Sequence, residues 1–408
     1  MRILYVTHRV PFPPRRGGKI RPFHMISHLS RAHEVTVASL ARSEEEEAAS
    51  SGLAAHCHEV VCARVAAPGA VARMLMRAPT AAPFSMGYFF SPVLRKEIGR
   101  RLSEKRFDFV FVHCSSVAQY VENVTGIPKL LDFGDMDSQK WHIYGDLRMF
   151  PASLVYRLEA IKLEAAERRL AQRFDLCSCT TREELATLDS YRTGVQTDWF
   201  PNGVDHGYFA PAGEPYDPNL ISFVGRMDYY PNQDAVTRFC TRTLPLIQRA
   251  RPDARFVIVG AEPSRGIRAL ASLPGVTVTG SVADVRPFVA RSAVNVAPLR
   301  IARGTQNKIL EAMALAVPVV ASSLAARGVD ATPDEHLVVA DTPEEEARAV
   351  VDLLEHPDRR ARLAQNARAR VLSHHDWQAS MRRLDEIVER CLATFAERNR
   401  AYRAIAAK

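Results

Sequence analysis

Two charged residues, Lys308 and Glu311, stand inside the otherwise apolar run GTQNKILEAMALAVPVVAS, Gly304 to Ser322. Ile309 to Leu315 are helix formers and Val317 to Ala321 is a short β-branched strand, so the run is half of an α/β repeat. At 3.6 residues per turn, a spacing of three puts both charges on one face at the helix start. Small and polar groups, Gly304, Thr305, Gln306 and Asn307, precede them. Two readings stay open. One is a solvated ion pair worth about 0.2–0.5 kcal/mol. The other is a ligand site, in which unpaired helix N–H groups, the dipole end and Lys308 hold a phosphate or diphosphate while Glu311 accepts from ribose hydroxyls.

The same logic selects four more loops, because ligands of open parallel sheets bind beyond the carboxyl ends of the strands. In THRVPFPPRRGGKIR, Gly17 and Gly18 permit close backbone approach ahead of a helix expected to start near Lys19 or Ile20, with Arg16 beside them. After DFVFV stands His113, a candidate for hydrogen bonding or acid/base work. After KLLDF come Gly134 and then Asp135 and Asp137, one expected to cap the next helix and the other free for an acceptor hydroxyl. LISFVG ends at Gly225 and is followed by Arg226, which with Lys308 would make a two-pronged cation clamp. There is no GxSxG and no HExxH, so neither a serine triad nor a zinc helix is expected, and no structural metal.

These loops require a scaffold of alternating strands and helices. Seven β-rich runs, RILYVT, EVTVASL, EVVCARV, DFVFVHC, KLLDF, DLCSCT and TDWF, alternate with helical patterns in the first half. Six more follow, LISFVG, RFVIVG, VTVTG, AVNVAPL, VPVVAS and HLVVA. The expected class is α/β, with two doubly wound parallel-sheet domains. Turn residues cluster between them, giving an N-terminal domain at 1–198, a linker at 199–218, a second domain at 219–375 and a long helix at 376–408 expected to cross back.

A chain of 408 residues, 47% hydrophobic and 25% charged, is long enough for two such cores. No apolar run reaches the ~18 residues of a membrane span, and the opening MRILYVTH does not read as a secretory signal. The expectation is a soluble, cytoplasmic protein. The seven cysteines lack paired spacing and read as reduced thiols. The net charge of +8 suggests an anionic partner. Arg9, Arg15, Arg16, Lys19 and Arg21 crowd the first loop, and Arg95, Lys96, Arg100, Arg101, Lys105 and Arg106 load one predicted helix. The intervening GAVARMLMRAPTAAPF reads either as a core-facing helix or as a segment lying at the inner face of an anionic membrane. No nucleic-acid motif accompanies the charge.

The Gly-rich first loop, FPNGVD, the VGRM strand end and the Lys-x-x-Glu-Ala-Met-Ala helix together resemble the GT-B glycosyltransferases of glycosyltransferase family 4, over nearly the whole chain. More narrowly, HRVPFPPRRGGKIRPFH, DFGDMDSQKW, GRMDYYPNQDAV and APLRIARGTQNKILEAMALA are similar to sugar transferases associated with exosortase and PEP-CTERM loci, linked to exopolysaccharide synthesis. The resemblance implies two Rossmann-like domains facing across a cleft. It implies transfer of a sugar, with retention, from a UDP- or GDP-sugar to a polysaccharide or lipid-linked acceptor, with no tightly bound cofactor. His113, Arg226 and Lys308 would be catalytic. Gly17, Gly18, Gly225, Arg303, Gly304, Thr305, Gln306, Asn307 and Glu311 would complete the donor site, and Arg16, Asp135 and Asp137 the acceptor site. Two positions depart from the family: Arg303 stands eight residues before Glu311, where a Glu is common, and DYYPN replaces the usual Lys after Arg226. A sugar-nucleotide epimerase or hydrolase of the same fold, or a non-catalytic nucleotide-sugar binder, are the alternatives.

Overall fold

The computed structural model describes residues 1–14, 17–211, 213 and 215–406. It divides into two compact units, one formed by Met1–Phe200 with the chain from Ser380 on, the other by Pro201–Ala379. Both are α/β and Rossmann-like.

The first unit holds a seven-stranded sheet of β1 (Arg2–Thr7), β2 (Glu34–Ala41), β3 (Glu59–Arg64), β4 (Phe109–His113), β5 (Lys129–Gly134), β6 (Leu176–Cys179) and β7 (Gln196–Trp199), in the order β3-β2-β1-β4-β5-β6-β7. Neighbouring strands pair in parallel. Helices cover both faces of such a sheet, which is why β1, β4 and β5 are nearly continuous apolar runs with almost every residue buried. The exception is one row near the carboxyl ends. Pairing aligns Ser39, Thr7, His113, Asp132, Ser178 and Asp198 across six strands. All six are polar and buried.

The second unit holds β8 (Asp217–Val224), β9 (Arg255–Val259), β10 (Val276–Gly280), β11 (Ser292–Ala297), β12 (Val319–Ala321) and β13 (Val338–Val339), again parallel, in the order β10-β9-β8-β11-β12-β13. β8 starts two residues inside the segment expected as linker, because the Asp217 N–H reaches the Arg291 carbonyl at 2.7 Å.

The final helix runs Trp377–Ala406. Met381, Leu384, Val388 and Cys391 bury its apolar stripe. From Ser380 on it belongs with the first unit, where Arg383 holds the Asp198 carboxylate at 2.7 Å and the Trp199 carbonyl at 2.9 Å, and His28 meets Asp385 at 2.9 Å.

Three local expectations change. The first-loop helix begins at Gly17, so Gly17 and Gly18 form its exposed first turn instead of a loop before it. The basic helix ends at Ser103, leaving Lys105 and Arg106 outside. Most of the early cations are also paired: Arg101 and Arg106 with Glu59, Arg100 with Glu97 and Glu104, Arg9 and Lys19 with Glu46, and Arg21 with Asp132. Carboxylates, some on the same helix and others distant in sequence, thus quench much of the cationic field that the linear charge run suggested.

Candidate functional site

In the second unit the groups converge where β8 ends. Lys308 sits in the first turn of the helix Asn307–Ala314. Its Nζ donates to Asn232 Oδ1 at 2.6 Å and lies 4.2 Å from the centre of the Phe223 ring. Asn232 in turn donates through Nδ2 to the Arg226 carbonyl at 2.8 Å. Gly225 is required here, because a Cβ would come 2.6 Å from Asn232 Nδ2 and 3.0 Å from Lys308 Nζ. The backbone is equally tight beyond β9. Gly260 has φ +159, and a Cβ there would lie 1.8 Å from the Gly225 carbonyl oxygen.

Burial depresses the Lys308 ammonium to about 7, against the opposing pull of Glu311. Burial raises Glu311 to about 7, with Lys308 opposing. Both therefore titrate near neutrality, unlike a solvated ion pair. Upstream, Gly304 has φ +61 and its carbonyl leaves no room for a Cβ on Gly328. Thr305 Oγ1 is buried without a hydrogen-bond partner. Gln306 Nε2 donates to the Arg303 carbonyl at 3.1 Å, Asn307 Oδ1 accepts weakly from Asn202 at 3.5 Å, and Arg303 is half-buried.

Arg226 does not form the expected clamp directly with Lys308. Its guanidinium is taken by Asp228, at 3.0 and 2.8 Å, and by Glu262 at 2.5 Å, and these hydrogen bonds, Asp228 first, raise its pKa. Its link to Lys308 runs through its main-chain carbonyl and Asn232. The bonds to Asp228 and Glu262 use Nε and Nη2, so a diphosphate would compete with two carboxylates for this arginine.

In the first unit the centre of the polar row, His113, Asp132 and Ser178, is hydrogen-bonded across three strands. His113 Nδ1 lies 2.8 Å from Asp132 Oδ2. Arg21 grips both oxygens of Asp132, at 3.0 and 2.9 Å, and reaches the Phe200 carbonyl at 2.9 Å, its guanidinium 3.6 Å above the Phe200 ring. Ser178 donates to Asp132 Oδ1 at 2.9 Å. Burial alone would raise the Asp132 pKa. The Arg21 charge and the hydrogen bonds from His113 and Arg21 outweigh it and hold the carboxyl well below its usual range. An ionised carboxylate only accepts, so Nδ1 of His113 carries the proton and Nε2 is left for a ligand. Beside it, Gly134 has φ +68, and a Cβ there would sit 3.4 Å from His113 Cε1. The His8 and His113 ring centres are 6.1 Å apart. Burial, then the neighbouring His113, lowers His8 to about 3, and its Nδ1 is buried without a partner.

Neither Asp135 nor Asp137 caps the following helix. Met136 occupies the cap position with no side-chain bond. Glutamates from other elements do the work: Glu184 accepts from the Met136 N–H at 2.7 Å and Glu167 from the Ser138 N–H at 3.0 Å. Asp135 accepts from Thr180 at 2.7 Å. Asp137 has its pKa raised by burial, with Cys114 Sγ 3.8 Å away. Gly17 and Gly18 are exposed, and Arg16 lies outside the described residues. Asp132, Asn232 and His8 were not singled out from the sequence, and Arg21 only as one of the cations crowding the first loop. The readable signals were an aspartate within the apolar KLLDF and a Pro-Asn opening a helix.

Residues 218–356 match the family described as glycosyl transferases group 1. The second unit thus resembles a group 1 glycosyl transferase domain. Among curated proteins, the chain is 26% identical over 210 residues to the GDP-mannose-dependent monoacylated alpha-(1-6)-phosphatidylinositol monomannoside mannosyltransferase of Corynebacterium glutamicum, covering 46% of this chain and 55% of that protein. It is 34% identical over 121 residues to the phosphatidyl-myo-inositol mannosyltransferase of Propionibacterium freudenreichii subsp. shermanii, 29% of each. The matches span about half and less than a third of those relatives. Among solved structures, sucrose-phosphate synthase from Thermosynechococcus elongatus superposes with a TM-score of 0.69 at 17% identity, covering 96% of this chain and 99% of that one. Anabaena HepE in complex with UDP gives 0.67 at 14%, covering 95% and 100%. These structural likenesses establish the fold: two parallel-sheet units of the GT-B kind.

Proposed function

We propose that the protein transfers a sugar from a UDP- or GDP-sugar to a polysaccharide or lipid-linked acceptor, with retention, in exopolysaccharide or cell-envelope glycan synthesis, as in the exosortase-associated transferases it resembles. The observation that carries this reading is Lys308, poised by Asn232 over Gly225 at the strand ends of the unit that matches the family. As the bond from the anomeric carbon to phosphate oxygen breaks, charge collects on the departing diphosphate. Lys308 and the N–H groups at the start of its helix stabilise that charge. Thr305 Oγ1 supplies an unused hydroxyl, Glu311 accepts from ribose, and Arg226 adds a second cation once released from Asp228 and Glu262. His113 Nε2, oriented by Asp132, hydrogen-bonds the sugar, and Asp135, Asp137 and Arg16 serve the acceptor.

The GDP-mannose-dependent relative supports a GDP-linked mannosyl donor, both mannosyltransferase relatives support a phosphatidylinositol-type acceptor, and the UDP complex of HepE supports UDP. We further propose that the protein works at the inner face of an anionic membrane, where a lipid-linked acceptor would be met. A thermal-shift screen of nucleotide sugars identifies the donor, since selective binding raises Tm by mass action. Product analysis with and without acceptor separates transfer from epimerisation or hydrolysis. Lys308→Ala should abolish transfer, and unchanged turnover in that variant overturns the proposal.

A further inference from the structure

Apolar side chains that a helix should bury lie open on the first unit. The helix Asp137–Leu147 and the helix Ala152–Ala171 are consecutive, and the connection between them carries Met149 and Phe150, 87% and 80% exposed. The second helix buries Ala160, Leu163, Ala166 and Leu170 toward the unit. It also exposes Leu154, Val155, Leu158 and Ile161, at 60, 54, 40 and 60%. Positions 154, 158 and 161 fall on one stripe of a 3.6-residue helix, so this helix is apolar on two faces, and only one is covered. A neighbouring segment is tied to the covered side of this helix through buried Lys162 and Glu159. Lys162 ties the carbonyls of Arg77 and Ala78 at 3.1 and 2.9 Å, and Glu159 accepts from the Phe84 and Ser85 N–H groups at 2.6 and 2.9 Å. The helix Ala67–Met76 that ends there exposes Leu75 and Met76 at 62 and 66%.

Two further features say what covers this face. Trp141, Tyr144 and Tyr156 pack together at its base, with ring centres 5.5 to 5.9 Å apart, all half-buried. Amphipathic aromatics of this kind favour the boundary between hydrocarbon and water. The local charge is also one-sided. Residues 65–96 carry Arg73, Arg77, Arg95 and Lys96 ahead of Glu97, and residues 140–157 carry Lys140 and Arg148 beside the Arg157–Asp146 ion pair.

We infer that this face, with Met149 and Phe150 at its tip, is a monotopic docking surface for an anionic lipid bilayer, the apolar stripe entering the headgroup and acyl boundary while the cations meet lipid phosphates. This rests on the proposed membrane location and assigns it to particular residues. The segment that the sequence offered as a lipid contact forms only its margin. The apex residues lead, because nothing in the fold needs them exposed.

The test is flotation of the full-length protein with phosphatidylcholine vesicles, with and without phosphatidylglycerol, at low and high salt. Wild-type protein floats with the anionic vesicles and less so at high salt. Met149→Ser/Phe150→Ser and, independently, Leu158→Ser/Ile161→Ser each lower the partition coefficient about tenfold or more, with unchanged melting temperature. Brominated lipids quench tryptophan fluorescence in wild-type protein and fail to do so in Trp141→Phe. The inference is overturned if wild-type protein ignores anionic vesicles, if both double variants float like wild type, or if sedimentation shows a dimer that the Met149/Phe150 variant dissociates, which would give the face to a second copy. Binding of UDP or GDP is measured separately, so loss of nucleotide binding with intact flotation strikes the transferase reading alone.

Discussion

If Lys308 is the cation that meets the diphosphate, nucleotide affinity must fall as pH rises above neutrality. In the free protein burial holds Lys308 near 7, so at pH 8 most molecules carry it neutral. A diphosphate charge about 4 Å away at an effective dielectric of about 20 favours the ammonium by about 4 kcal/mol. That is about three pH units, which lifts the bound-state value to about 10. Binding then takes up a proton between these limits, and by linkage the Kd rises close to tenfold per unit, about eightfold from pH 8 to pH 9. This window also isolates the lysine, because Glu311, near 7 in the free protein, is ionised throughout it. The assay is calorimetric titration with UDP and GDP in buffers of different ionisation enthalpy, which reads proton uptake directly. Lys308→Gln binds more weakly and its Kd is flat across the same range. A wild-type Kd that does not change from pH 8 to 9, or an equal slope in Lys308→Gln, would refute the assignment.

Asp132→Asn leaves Arg21 buried without its counter-charge and should cost about 3–5 kcal/mol in urea unfolding, with much of the loss recovered by the double variant Arg21→Met/Asp132→Asn. Gly225→Ala pushes a methyl against Asn232 and Lys308, so nucleotide affinity should drop about tenfold while far-ultraviolet dichroism is unchanged; wild-type affinity would mean that the Lys308–Asn232 contact is not used. The His8 pKa is lowered by burial, from 6.5 to about 3. Its stabilising contribution is therefore complete above pH 6.5 and lost as pH falls toward 3. At pH 4.5 the loss should amount to about 1–2 kcal/mol, discounted for partial exposure, seen as a shallower acid slope of stability in His8→Asn.

The scaffold was legible because parallel strands buried on both faces leave long Val, Ile, Leu and Phe runs, and each of the thirteen expected runs contains a strand of the two sheets. Helix starts were less legible. Gly17 and Gly18 read as a loop because glycine disfavours helices, yet an exposed first turn tolerates them. One of the two aspartates after KLLDF read as a cap because capping is a local rule. The Ser138 N–H that a cap would have satisfied is instead taken by Glu167, which only the tertiary fold brings close.

The candidate site shows the same division. Lys308 and Glu311 were visible because charge in an apolar helix is anomalous wherever it occurs. Asp132 was equally anomalous, but its meaning lies in register: β4 and β5 pair so that His113 faces Asp132, and β5 and β6 so that Asp132 faces Ser178. A one-residue slip would turn Asp132 to the opposite face of the sheet, away from His113 and Arg21. No periodicity in a single strand fixes that alignment. It also explains why polar residues survive at the centre of this row, since His113 and Ser178 both hydrogen-bond to Asp132 from the neighbouring strands. Arg226 is the converse case. Its place after a strand end advertised an anion, but Asp228 and Glu262 already hold the side chain. Donor binding therefore competes with those carboxylates for Arg226, with Lys308, Thr305 and the main-chain N–H groups carrying the rest of the diphosphate charge. Glu262→Gln tests this competition: tighter nucleotide binding means that Arg226 is released to the ligand, and unchanged binding means that it is not.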